Sequence, residues 1–440
     1  MNVMNAVPQA LRQLRPFRRT GRVTRVTDLG IESHGPAVAL GEVCEIVLAD
    51  GERIQAEVVA LHDHRLSLMP YAPCKGLTVG AEVVALDAQP SITVGPGLLG
   101  QVVDAFARPL GGHTVGDAGV DMPLHPEPLN AMRREPVRTP LLTGVRAIDT
   151  LLPVGLGQRL GIFAGSGVGK SSLLGMLARH MSADVAVIAL IGERGREVQE
   201  FLEQRLSPEA RRRSVVVVAT AEQPAVVRAR AAYAATSIAE YFRAQGQHVL
   251  LMMDSVTRYA MARREIDLAA GQPPTSRGYT PSVFSAIPAL CERCGGLQGQ
   301  GSITALYTVL VEGDDIHEPV ADALRATLDG HIMLSRDLAN EGHYPSIDVL
   351  QSVSRLESSL LPPADQRLAQ ELRGLLAVHR RQREMVDMGL YKAGSNPKLD
   401  KALSAWDAIT AFLRQRADED VPRERSREQL QQILRIGGLP

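Results

Sequence analysis

Between Thr143 and about Leu356, short apolar runs alternate with longer stretches in which apolar residues return every three or four positions. The runs are Arg159–Ala164, Val185–Ile191, Ser214–Thr220, His248–Asp254, Ser302–Leu310 and His331–Leu334. They are apolar almost throughout, not at every second residue, which is the pattern of strands covered on both faces. Between them lie Ser171–His180, Arg196–Gln204, Ala225–Arg243 and Arg258–Ala270, which have helical spacing. This alternation predicts an α/β fold around a mostly parallel sheet.

The flanks follow other periods. From Gly21 to about Gln89 the runs Arg22–Val26, Cys44–Leu48, Gln55–Leu61, Arg65–Met69 and Ala81–Leu86 are short, alternating and separated by turn signals. Asp50-Gly51 between two of them is a hairpin cue, and so many strands in so short a span predict a small β-barrel. Pro96–Pro140 is rich in Gly and Pro and reads as loop, with one strand at Gly100–Val103. Beyond Pro363 the spacing is helical, through Leu368, Leu372, Leu375 and Leu376, then Met385, Val386 and Leu390, then Trp406, Ile409, Phe412 and Leu413. At the start of the chain Val7, Leu11 and Leu14 share a helical face while Arg12, Arg15, Arg18 and Arg19 supply positive charge. That segment is either a frayed terminus or a docking helix for a partner or an anionic membrane.

The decisive stretch is Leu160–His180, LGIFAGSGVGKSSLLGMLARH, in which a strand feeds a Gly-rich turn and then a helix. Gly165, Ser166, Gly167, Val168 and Gly169 form a phosphate-binding loop: glycines let backbone N–H groups converge on a polyphosphate, and the helix N-terminus adds its positive end. Lys170 can reach the β- and γ-phosphates, Ser171 can ligate Mg²⁺, and Ser172 follows in the same turn. The first position of the usual motif is Gly, but here it is Ala164. The expected layout is therefore an N-terminal segment 1–20, a β-barrel 21–90, a P-loop domain 91–360 and a C-terminal helical domain 361–440.

At 440 residues, with 45% hydrophobic and 22% charged residues, the chain has material for two or three domains. A net charge of -1, and Tyr71 as the single aromatic of the barrel region, argue against a nucleic-acid binder. Runs such as Val215–Ala219 and Val249–Met253 are too short to span a bilayer, and no secretory signal opens the chain. Cys44, Cys74, Cys291 and Cys294 are sparse enough for a reducing cytoplasm. Cys291 and Cys294 lack a second ligand pair nearby, so they read as two incidental thiols on a helix and not as half a zinc site.

Two acids complete a hydrolytic reading. The strand His248–Asp254 ends in Asp254, which beside a phosphate loop can hold Mg²⁺ directly or through water. The strand Asp184–Ile191 ends in Gly192-Glu193-Arg194-Gly195-Arg196-Glu197, at the sheet edge where ligands bind. Glu193 is the candidate base; the alternative is a surface ion-pair cluster of Glu193, Arg194, Arg196 and Glu197.

The phosphate loop, Ile191–Phe201, Leu250–Pro274, Gly301–Asp315, Gly342–Leu356 and Gly389–Leu403 together resemble the export ATPases of flagellar and type III secretion systems, relatives of the catalytic β subunit of rotary ATP synthases. The resemblance covers nearly the whole chain. It implies that Glu193 is the catalytic glutamate, that Lys170, Ser171 and Asp254 hold phosphate and Mg²⁺, and that Arg194 sits beside the γ-phosphate. It further implies that Arg355 is an arginine finger entering a neighbouring subunit's site and that Tyr344 packs on adenine. By themselves Arg355 would read as a solvated arginine and Tyr344 as a packed loop aromatic. Gln272–Phe284 matches the segment facing the centre of a hexamer, with Thr280 where relatives usually have Pro and an unusual Cys294.

The implied protein is a homohexameric, ATP- and Mg²⁺-dependent motor at the base of a protein-export apparatus. Its implied partners are a regulatory stator-like protein at the N-terminal segment, a coiled-coil central stalk, export substrates and chaperones, and an export gate at the membrane, without nucleic acid. Its implied location is cytoplasmic, peripheral to the inner membrane. Thr257–Ala262 and Leu68-Met-Pro70 look more like the flagellar branch than the injectisome branch. The competing readings are an RNA-translocating hexamer, a non-catalytic nucleotide-binding subunit and a rotary synthase β subunit. The barrel composition, the retained Glu193, and base plus finger in one chain weigh against them in turn.

Overall fold

The computed structural model describes residues 17–27, 30–63, 65–111, 119–311, 315 and 317–436. The amphipathic face of Val7, Leu11 and Leu14 lies outside the described residues.

The N-terminal region closes into a six-stranded antiparallel barrel of Thr20–Thr27, Gly30–His34, Val43–Val47, Arg53–His62, Arg65–Pro70 and Glu82–Ala85. Inward positions alternate along each strand, so Val23, Ile31, Ile46, Val58, Leu68 and Val83 meet in one small core. The Asp50-Gly51 turn is made as its residues require: Gly51 takes φ +87 and the Asp50 carboxylate accepts from the Glu52 amide at 3.0 Å. The strand Gly30–His34 is absent from the sequence reading. Its inward face is Ile31 and Ser33, both fully buried, and a buried serine does not register as an apolar alternation.

Next comes a ten-stranded sheet. Its main path runs Val353–Ser354, Gly330–Leu334, Arg159–Ala164, Ser302–Leu310, His248–Asp254, Val185–Ile191, Ser214–Ala219 and Val102–Val103. All neighbours on this path are parallel except the first pair. Alternate residues serve opposite faces: Val185, Val187, Ala189 and Ile191 enter one core, and Ala186, Ile188 and Leu190 the other. That double burial is why these strands read as continuous apolar runs. The first core is covered by helix Ala225–Ala244, whose small-residue face of Ala231, Ala232, Ala234 and Ala235 lets it sit close to the sheet. The second is covered by helix Lys170–His180 and by C-terminal helices. Each buried Leu, Ile or Val side chain contributes on the order of 1.5–3 kcal/mol.

The C-terminal helices are Pro363–Asp387, Pro397–Ser404, Trp406–Leu413 and Arg423–Arg435. Leu372, Leu375, Ile409, Phe412, Leu430 and Leu434 join the same core as Leu173 and Leu177 of the phosphate-loop helix. The helical layer is thus packed onto the nucleotide domain, not hung from a linker. Among the described residues no helix is long and apolar enough to cross a membrane.

Two local expectations need adjusting. The helix expected over 196–204 is an α-helix, Gly195–Glu200, that widens into a π-helical turn, Phe201–Arg205. Cys291 ends helix Pro281–Cys291, whereas Cys294 lies beyond it, 3.2 Å from the Tyr307 hydroxyl. Both thiols are buried, and burial pushes both upward from the ordinary thiol range.

Candidate active site

The parallel strands all deliver their carboxyl ends to one edge of the sheet, and the candidate residues gather there. Strand Arg159–Ala164 runs into the loop 165–169 and then helix Lys170–His180. Gly167 and Gly169 adopt φ +78 and +94, a region that favours glycine. Gly169 has a second reason to be glycine: a Cβ there would lie 3.2 Å from the Tyr344 ring. The loop is anchored from outside its own element. Val168 is 1% exposed, and its carbonyl accepts from the Ser346 hydroxyl at 2.6 Å.

The loop and the helix N-terminus form one wall of a cavity of about 380 Å³. Lys170, Ser171 and Ser172 line it, facing Glu193 and Asp254 from the neighbouring strand ends. Lys170 Nζ lies 2.5 Å from Asp254 Oδ1 and 3.7 Å from Glu193 Oε1. Asp254 Oδ1 also accepts from the Thr308 hydroxyl, at 2.7 Å. Glu193 is positioned by a tight turn: Gly192 takes φ +69, its amide donates to the Ala219 carbonyl, and the Glu193 carbonyl accepts from the Ala221 amide at 3.0 Å.

The electrostatics follow from this crowding. Burial, then the nearby Asp254 carboxylate, push Glu193 up to about 7, with Lys170 opposing them. A hydrogen bond shared with Glu197 raises Glu193 further and lowers Glu197. For Lys170 burial alone would favour the neutral amine, but Asp254 and Glu193 outweigh it and hold the ammonium. The result is one buried cation between two acids, one of which titrates near neutrality. A carboxylate poised near 7 can accept a proton from water at physiological pH. Ser171 and Asp254 are hard oxygen donors on one cavity, a set that suits Mg²⁺.

Sequence reasoning missed Arg258. It lies in the first turn of helix Val256–Ala269, which Ser255 caps by accepting from the Arg258 amide at 3.3 Å. Its side chain lines the cavity and lies over Gly192, where a Cβ would stand 3.0 Å from Arg258 Cβ. The available signal was its offset: four residues past the strand-terminal Asp254, one turn into the next helix. Glu197 and Arg205 also line the cavity. Arg194 lines it too, but with 83% of its side chain exposed and 3.5 Å from Glu197 it sits at the rim.

On the other side of the loop a second cavity of about 470 Å³ is lined by Gly169, Ser172, Tyr344 and Pro345. Its far wall is the segment 414–419, between the last two C-terminal helices. The sequence carries no motif for that wall. Tyr344, 45% exposed, presents its ring beside the phosphate loop. Arg355 joins neither cavity. It follows strand Val353–Ser354 at the sheet's outer edge, is exposed, and donates to the Arg325 carbonyl at 2.8 Å.

Family models match in three consecutive blocks. Residues 23–87 match the β-barrel domain of the ATP synthase alpha/beta family, 144–354 its nucleotide-binding domain, and 361–432 the T3SS EscN ATPase C-terminal domain. The chain is 49% identical to the flagellum-specific ATP synthase of Bacillus subtilis over 412 residues, covering 93% of this chain and 94% of that one. It is 46% identical to the SPI-2 type 3 secretion system ATPase of Salmonella typhimurium over 435 residues, covering 98% and 99%. Among solved structures it resembles the assembled ATPase EscN in complex with its central stalk EscO from enteropathogenic E. coli. That likeness has a TM-score of 0.86 and 40% identity, over 94% of this chain and 100% of that one.

Proposed function

The chain belongs to the ATP synthase alpha/beta family, among its flagellar and type 3 secretion ATPases, and from that premise we propose that it is the ATP-hydrolysing motor of a bacterial protein-export apparatus. The observation that carries the reading is the convergence of Lys170, Glu193 and Asp254 on the phosphate loop. In this scheme the loop amides and Lys170 bind the β- and γ-phosphates, and a polyphosphate draws Lys170 away from the two acids that hold it here. Glu193 orients water against the γ-phosphate and accepts its proton. Arg194 and Arg258 offset charge that develops on the transferred group. Ser171 and Asp254 would hold Mg²⁺, which when bound supplies charge neutralisation at the phosphates. Tyr344 packs on the adenine.

Arg355 acts in a neighbouring copy. An exposed guanidinium at the sheet edge, remote from its own cavity, suits a finger that completes the next subunit's site in a homohexamer. A central stalk is proposed as a partner because EscN is found with one. A stator-like regulator at the N-terminal segment, export chaperones and substrates, and a gate at the inner membrane complete the scheme, with the protein cytoplasmic and peripheral to the membrane. The flagellar branch is preferred for Thr257–Ala262 and Leu68-Met-Pro70, although overall identity to the two branches is close, 49% against 46%.

The test is ATP hydrolysis as a function of protein concentration, with Glu193→Gln as control. A specific rate that climbs with concentration and vanishes in the control is expected. A flat rate would remove Arg355 from the site, and undiminished turnover in the control would remove Glu193. Deleting the gene and scoring motility against effector secretion separates the two branches.

A further inference from the structure

We infer that Gln415 is a positioning residue for the base end of the cleft, working with Arg146; this rests on the nucleotide-hydrolysing reading above. The wall opposite Tyr344, residues 414–419, has no regular secondary structure of its own. Something other than a helix or strand ladder must fix it. Gln415 is 6% exposed and supplies four hydrogen bonds that do so. Its Oε1 accepts from the Arg146 amide at 2.8 Å. Its Nε2 donates to the Gly144 carbonyl at 2.7 Å and to the Glu419 carbonyl at 2.9 Å. Its backbone amide donates to the Tyr344 carbonyl at 2.9 Å. One residue therefore ties the wall to the turn ahead of the phosphate-loop strand, closes the wall on itself, and sets its distance from the aromatic across the cavity.

Arg146 reinforces the same join. Its side chain, 7% exposed as a residue, donates to Glu419 Oε1 at 2.6 Å, and its guanidinium lies 5.8 Å from the Phe412 ring centre. Beneath it Asp149 fixes the turn, accepting from the Thr143 amide and hydroxyl, both at 2.8 Å, and from the Gly144 amide at 3.0 Å. Removing the Gln415 amide strips partners from the Arg146 amide and the Gly144 and Glu419 carbonyls together, so the wall shifts to find others. No bond of this network reaches Lys170, Glu193 or Asp254. Gln415 thus governs how tightly a base is gripped and leaves phosphate binding alone.

The experiment compares ADP with inorganic tripolyphosphate, which has no base, by calorimetric titration of the full-length protein with Mg²⁺ present. In Gln415→Ala the affinity for ADP should fall roughly tenfold, a loss of about one buried hydrogen-bonded join, while that for tripolyphosphate stays at the wild-type value. Gln415→Glu keeps the volume but turns a carboxylate on two carbonyls, so it should lose ADP affinity at least as far. Arg146→Lys, which keeps charge but not the fork, should fall between wild type and Gln415→Ala. Unchanged ADP affinity in Gln415→Ala overturns the inference, as does an equal loss for both ligands, which would mark general damage. Full ADP affinity in Gln415→Glu overturns it too, since volume alone would then suffice. A wild-type protein that binds tripolyphosphate but not ADP would instead overturn the nucleotide reading itself.

Discussion

The two ends of the cleft are built on opposite principles. At the end proposed to bind phosphate a strand, a five-residue loop and a helix, contiguous in sequence, meet Asp254, which ends one strand, and Glu193, two residues past the end of its neighbour. The side chains are charged and largely buried: those of Lys170, Glu193 and Asp254 are 13%, 13% and 7% exposed. At the base end the walls are loops, Tyr344 is 45% exposed, and the partners come from positions far apart in the chain. The phosphate end has to hold fixed charges in a low dielectric, where small displacements are costly, so it sits on the most deeply buried strands. On the same proposal the base end needs an apolar slot and a few joins, which loops can supply. On this proposal chemistry and grip are separable in this fold.

That separation can be attacked from several directions. The largest effect is expected from Arg355→Ala: turnover of the assembled protein should fall by roughly 10³–10⁵, with ADP binding by single protomers untouched because Arg355 lies outside both of its own cavities. Loss of ADP affinity in that variant would count against a role in trans. Next is Glu193→Gln, for which steady-state hydrolysis should drop by about 10²–10⁴ while nucleotide binding persists. Binding that collapses with turnover would show that the two ends are not independent.

The raised Glu193 gives a pH signature. The base form appears only as pH rises through about 7, so kcat/KM should climb with pH below that value and level off above it. The limb should vanish in Glu193→Gln; a profile that follows an ordinary carboxylate range would reject Glu193 as the titrating group. The smallest effect belongs to the base end. Tyr344→Ala should raise KM for ATP by roughly tenfold, the worth of one base stacked on an aromatic ring, and Tyr344→Phe should restore it. If Tyr344→Ala lowered kcat as far as Glu193→Gln does, the division of the cleft drawn here would fail.

Much of this protein was legible in the sequence alone. The parallel sheet could be read because double burial forces strands such as Val185–Ile191 to be apolar at every position. The phosphate loop could be read because an anion cradle needs glycines, a lysine and a hydroxyl in one turn. Asp254 was legible because it closes such a strand, and Glu193 because it follows one by two residues. What remained hidden had little local signal. The strand Gly30–His34 carries a buried serine on its inward face, Arg258 lines the cavity from the flank of a helix, and Gln415 reaches Gly144 across 271 residues. Local order and backbone-level chemistry are written in neighbouring residues, because they depend on periodicity and backbone freedom. The titration of Glu193 near 7, the seating of Tyr344 on Gly169 and the join between 414–419 and the nucleotide domain depend on distances between segments remote in the chain. Only packing fixes those distances, and so only the tertiary structure could decide them.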